Sequence, residues 1–276
     1  IHNLNKKDYE SILNRLKGYK NVKEDKIKYE EFMQVLSDAQ ATGLINLSDY
    51  IDINSFKDLI KYAGAKAFGD LSGIFFNIKT SQTDLNASLI LPQNYDPSKK
   101  YPVFVHVYGG PGHNEVLDSW DGNDYFFHNL LAQDGYMVLS IDPRGTQFRG
   151  EAFKKSTYLQ LGKLEIQDIL EATRVFAERP DVDKARLGIM GWSYGGFMSS
   201  LAMTKGEGLF KMGIAVAPVT NWRYYDNIYT ERFMQTPAEN PKGYDDNSPI
   251  NFVQGLQGKF FLIHGAADDN VHYQNS

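Results

Sequence analysis

The fold of this chain is decided by Leu187-Gly188-Ile189-Met190-Gly191-Trp192-Ser193-Tyr194-Gly195-Gly196. Residues 187–190 are a short apolar run that reads as a buried strand. Phe197, Leu201 and Ala202 follow at helical spacing. Between them stands G-x-S-x-G, the turn that lifts a serine off the end of a strand and onto a helix. Gly191 and Gly195 carry no Cβ, so strand and helix can approach closely around a strained serine. A glycine-rich turn with a surface serine is the plain alternative. Strand, turn and helix in that order favour a nucleophile at Ser193.

Outward from this turn, apolar runs recur at 74–78, 85–91, 102–108, 137–141, 212–216 and 260–263. Helical stretches lie between them near 124–133, 162–178 and 195–205. Over 162–178 the spacing turns Ile166, Ile169, Ala172 and Phe176 to one face. Strands rich in Val, Ile and Phe that alternate with helices predict an α/β fold, a mostly parallel sheet with helices on both faces. Residues 1–68 differ. They contain no proline, are rich in Lys, Asn, Asp and Glu, and carry three short amphipathic stripes. The expected organisation is a small helical N-terminal segment over 1–68 and a catalytic domain over 69–276.

At 276 residues and a net charge of −5 with mixed signs, the chain offers no basic patch for nucleic acid. No apolar run approaches the length of a membrane span. The absence of cysteine excludes a disulfide framework and thiolate metal sites, and fits either a reducing compartment or a bacterial envelope. Because the chain begins at Ile1, it shows no targeting signal either way.

A serine hydroxyl needs a base to take its proton, and in this architecture the partners follow in the order serine, acid, histidine. The apolar run 260–263 leads through His264-Gly265 into Ala266-Ala267-Asp268-Asp269-Asn270, which makes Asp268 the candidate acid. A tetrahedral intermediate needs donors aimed at its oxyanion. One is the backbone N–H of Tyr194. A second is expected from the loop after the third strand, His106-Val107-Tyr108-Gly109-Gly110-Pro111-Gly112, where Tyr108 can offer a phenol.

Residues from about 71 onward resemble the catalytic domain of the prolyl oligopeptidase family, in particular its bacterial dipeptidyl peptidase IV branch. The stretches that carry the resemblance are 101–112, 191–196, Ala215-Val216-Ala217-Pro218-Val219-Thr220-Asn221-Trp222, Tyr229-Thr230-Glu231-Arg232-Phe233-Met234 and His264 through His272. The resemblance implies an α/β-hydrolase fold and a serine peptidase that cleaves after proline, less readily after alanine, releasing N-terminal dipeptides. It makes Ser193 the nucleophile, Asp268 the acid, and Tyr108 with the Tyr194 amide the oxyanion donors. It assigns Trp222, Tyr225, Tyr229, Val219 and Val271 to a pocket for the proline ring, and Asn270 to a substrate carbonyl. An aromatic stripe that belongs to the core is the alternative for the three rings. No cofactor and no metal enter this reading. The expected partner is a peptide with proline second from its N-terminus. A homodimer and a periplasmic or extracellular location follow from the resemblance alone, and a cytoplasmic one stays open.

Two departures from the family pattern stand out. The family's catalytic histidine lies beyond one further helix and strand, and none of His2, His106, His113, His128, His264 and His272 occupies that place. His264 and His272 belong to the acid-turn motif and read as structural. The expectation is therefore a hydrolase domain truncated before its last strand and helix, and inactive as it stands. Nor can 1–68 form the β-propeller that precedes the family's hydrolase domain. An esterase or another oligopeptidase of the same fold, or a binding protein without activity, are the alternatives. Finally, Asp38-x-Gln40-x-Thr42-Gly43-x-Ile45-x-x-x-Asp49 approximates a calcium-binding EF-hand loop, for which a polar turn is the favoured reading.

Overall fold

The computed structural model describes residues 73–119 and 122–276. The three amphipathic stripes and the loop at 38–49 lie outside the described residues.

The chain runs β1 (Ile74–Lys79), β2 (Asp84–Ile90), β3 (Tyr101–His106), α1 (Gly122–Gln133), β4 (Met137–Asp142), α2 (Glu151–Lys155), α3 (Lys163–Ala177), β5 (Val182–Trp192), α4 (Tyr194–Lys205) and β6 (Met212–Val216). After a 3₁₀ turn at Trp222–Tyr224 come α5 (Asn227–Met234), α6 (Pro241–Asp245) and a 3₁₀ stretch at Pro249–Gly255. The strand β7 (Lys259–Ile263) and a last 3₁₀ turn, Tyr273–Asn275, complete the order.

The seven strands form one sheet in the order β1-β2-β4-β3-β5-β6-β7. β1 and β2 pair antiparallel, and β2 meets β4 antiparallel. From β4 to β7 every pairing is parallel. The inner strands β3 and β4 are buried along nearly their whole length, as strands covered on both faces must be. Neighbouring residues of β3 point to opposite faces. Val103 and Val105 join a core with Ile169 of α3 and Phe197 of α4, while the Phe104 ring meets Phe127 of α1 edge-on at 5.9 Å. Helices therefore cover both faces. This is the α/β-hydrolase arrangement, in which crossovers deliver the loops after the parallel strands to one end of the sheet.

Most elements match the sequence pattern closely, and the differences sit at element ends. β5 starts five residues earlier than its apolar run, because Val182 pairs with Tyr101 at the foot of β3. β3 ends at His106, so Val107 and Tyr108 lie in the loop. Trp222, Tyr225 and Tyr229 do not share one helix: they lie in a 3₁₀ turn, in a loop and on α5. No helix among the described residues is long and apolar enough to cross a membrane.

Candidate active site

Ser193 lies between the end of β5 and the start of α4 with φ 56° and ψ −112°. A non-glycine residue there is strained, and such strain persists only where the surroundings impose it. Here they do. The Ser193 amide donates to the Val216 carbonyl at 2.8 Å, and its carbonyl accepts from the Phe197 amide at 3.0 Å. A Cβ on Gly195 would stand 2.2 Å from the Val107 oxygen, and one on Gly191 would stand 2.4 Å from that same oxygen and from the Gly195 backbone. Both positions exclude any side chain, and the serine is pinned between them.

Tyr194 is the first residue of α4, where a backbone N–H has no intrahelical acceptor and the helix dipole favours negative charge. Its side chain runs inward, and its hydroxyl hydrogen-bonds Glu165 Oε1 on α3 at 2.8 Å. Glu165 is fully buried, and among the described residues its second oxygen has no hydrogen-bond partner. Burial pushes this carboxyl up to about 7. The same burial raises the Tyr194 phenol well above its ordinary value. Sequence reasoning missed Glu165. The signal was present, since Glu165 falls on the same helical stripe as Ile169, Ala172 and Phe176.

Tyr108 stands beside the elbow: a Cβ on Gly195 would lie 3.2 Å from its Cα, and its ring lies 5.9 Å from that of Tyr194. Burial holds its phenol above the ordinary value, so it is a neutral O–H donor at physiological pH.

The rings expected to grip proline do come together. Trp222 stacks on Tyr229 at 6.0 Å with 18° between planes, and Tyr225 meets Tyr229 edge-on at 5.4 Å. The Tyr194 ring lies 5.5 Å from Trp222. Trp222 is fully buried and also packs on Phe197, so it belongs to the core. Tyr225 and Tyr229 are half-buried. Burial drives the Tyr229 phenol far above its ordinary range. Val219 and Val271 are core residues within the same apolar cluster. The Tyr225 hydroxyl donates to Asn270 Oδ1 at 3.1 Å, tying the cage to the loop that holds Asp268.

Asp268 follows β7 in a tight turn. Its Oδ1 accepts from the amides of Asn270 and Val271 at 3.0 and 2.9 Å. Its Oδ2 lies 3.5 Å from His264 Nε2. The His264 side chain is buried, with Nε2 2.7 Å from the Val271 carbonyl and Nδ1 2.6 Å from Ser276 Oγ. It thus braces the acid turn through Nε2 and reaches Ser276 through Nδ1. No cluster of three or more His, Cys, Asp or Glu fit to hold a metal occurs among the described residues.

The model of the prolyl oligopeptidase family matches residues 124–276, more than half of the chain. The human protein "Prolyl endopeptidase FAP" is 42% identical over 202 residues, which cover 72% of this chain and 26% of that protein. The "Probable dipeptidyl-aminopeptidase B" of Trichophyton verrucosum is 41% identical over 235 residues, 84% of this chain and 26% of its own length. Among solved structures, dipeptidyl peptidase 4 of Porphyromonas gingivalis matches with a TM-score of 0.70 and 47% identity, over 74% of this chain and 29% of that one. The chain thus spans about a quarter of the length of these relatives. With its strand order, its strained serine and these matches, the chain belongs to the prolyl oligopeptidase family.

Proposed function

We propose that this chain carries most of the catalytic machinery of a serine peptidase that cleaves after proline and releases N-terminal dipeptides. The observation that carries the proposal is Ser193, held at a strained elbow by two contacts that only glycine allows. The Ser193 hydroxyl attacks the scissile carbonyl carbon. Its proton passes to an imidazole that follows Asp268 in the order serine, acid, histidine, with Asp268 orienting that ring. Negative charge develops on the carbonyl oxygen, where the Tyr194 N–H and the Tyr108 phenol stabilise it. Collapse expels the leaving peptide's amine, which takes up the proton and leaves an acyl group on Ser193. Water then hydrolyses that ester by the same steps in reverse order.

The aromatic cage supports proline before the cut. Trp222, Tyr225 and Tyr229 pack ring against ring beside Tyr194, and such flat apolar faces suit a compact ring better than a long or charged side chain. One similar protein is named a prolyl endopeptidase, in line with proline before the cut, and others are named for dipeptidyl peptidase activity, in line with the release of dipeptides.

The test uses the protein expressed from its complete gene. A fluorophosphonate probe labels it, and Ser193→Ala abolishes both labelling and hydrolysis of a Gly-Pro anilide. Labelling that survives the substitution removes Ser193 from the mechanism. Faster hydrolysis of simple esters than of Gly-Pro anilide would recast the protein as an esterase.

A further inference from the structure

Behind Tyr108 lies a set of charged groups that the mechanism above does not use. Asp142, at the end of β4, is almost fully buried. Its Oδ1 accepts from the Glu115 amide at 2.8 Å, and its Oδ2 from Asn114 Nδ2 at 2.8 Å and the Val116 amide at 3.2 Å. Asn114 Oδ1 in turn accepts from the Gln147 amide at 3.1 Å. The loop 113–116 is therefore clamped to the sheet, and Glu115 has a fixed direction.

Both oxygens of Glu115 are engaged by imidazoles. His113 Nε2 lies 2.9 Å from Oε1, and His106 Nδ1 lies 3.2 Å from Oε2. Burial alone would raise this carboxyl, but the two imidazoles override it and hold it well below the usual range. Glu115 is an anion throughout the working pH range. The His113 ring, fixed by that anion at one end, lies against Tyr108 with centroids 4.4 Å apart and 52° between planes. Among the described residues nothing hydrogen-bonds the Tyr108 hydroxyl, so the ring's orientation depends on what packs against it. These residues, His106, Tyr108, His113 and Glu115, also line a cavity of about 280 Å³ with Trp192.

We propose that His113 and Glu115 are positioning residues for Tyr108: Glu115 orients the His113 ring, and that ring holds the phenol where the oxyanion forms. This rests on the reading of Tyr108 as an oxyanion donor. A donor 1 Å out of place loses most of its effect on the transition state while substrate binding, made elsewhere, is unaffected. His113 and Glu115 therefore act on kcat, and only through Tyr108.

The experiment is a double-mutant cycle in the protein expressed from its complete gene, with Gly-Pro anilide as substrate. His113→Ala removes a half-exposed ring and is compatible with folding. It should lower kcat about tenfold with KM within about twofold. His113→Phe, which keeps a ring against Tyr108, should recover most of that loss, and Glu115→Gln should resemble His113→Ala. In a Tyr108→Phe background, His113→Ala should cost less than about twofold, because the hydroxyl it positions is gone. An equal loss in both backgrounds, or an unchanged kcat in His113→Ala, overturns the proposal. If Tyr108→Phe itself lowers kcat while His113→Ala does not, the proposal falls and the reading of the oxyanion site stands. If Tyr108→Phe has no effect, both fall.

Discussion

Trp222, Tyr225 and Tyr229 are held by ring against ring, whereas the loop that carries Tyr108 is held by carboxylates. The cage needs only shape: its rings bury apolar area, and such contacts tolerate small displacements and ignore pH. The Tyr108 loop needs direction. Hydrogen bonds to Asp142 and Glu115 fix angles as well as distances, and charge-assisted bonds do so most firmly. The difference matches the two tasks proposed for these groups. Selecting an apolar ring is a matter of volume, while stabilising an oxyanion is a matter of aim. Between them stands Tyr194, whose ring touches Tyr108 at 5.9 Å and Trp222 at 5.5 Å, and whose hydroxyl is tied to Glu165.

The largest expected effect falls on the aimed side. Tyr108→Phe keeps the ring and removes one donor, so kcat for Gly-Pro anilide should drop about 10²- to 10³-fold with KM nearly unchanged. A rise in KM instead would show that Tyr108 serves binding, and the contrast between aim and volume would be lost.

Next comes the pivot. The Glu165 carboxyl titrates near 7 in the folded chain against an ordinary 4.5. The folded state thus holds a proton that the unfolded state releases between those pH values. This contribution to stability is complete below about pH 4.5 and is lost as pH rises through 7, amounting to about 3 kcal/mol. Glu165→Gln should flatten that decline. Urea unfolding of both proteins at pH 5 and pH 7 measures it. Equal slopes would mean that Glu165 is ionised in the fold and satisfied by its neighbours.

On the side governed by volume, Tyr229→Ala should lower kcat/KM for a proline substrate about tenfold more than for an alanine one, since a missing wall costs the larger ring more. Equal losses would mean that the ring supports the core and does not choose the substrate. The smallest effect is expected from Tyr225→Phe. It removes one neutral hydrogen bond, to Asn270, and should reduce kcat/KM only a few-fold. A loss as large as that of Tyr108→Phe would place Tyr225 among the aimed groups.

Much of the fold was legible because its signals are local. β6 coincides with its apolar run at 212–216. Helix α3 matches the helical span expected over 162–178 to within one residue at each end. The elbow was legible for the same reason, since its glycines, its serine and its flanks are consecutive. The 3₁₀ turn at 222–224 and the short helices α2 and α6 were not, because runs of so few residues set up no periodicity to read.

What the sequence determined by itself is the set of candidate parts: the elbow serine Ser193, its neighbouring amide, the turn that carries Asp268, a phenol at Tyr108 and an aromatic stretch after β6. What only the tertiary structure decided is which distant residues hold those parts in place. Asp142 meets the 114–116 loop across 26 to 28 residues of sequence, and Glu165 meets Tyr194 across 29. A lone Asp or Glu in a sequence carries no mark of its partner. Its role is set by burial, which removes water as a competing partner and makes each buried carboxylate depend on the few donors that the fold brings to it.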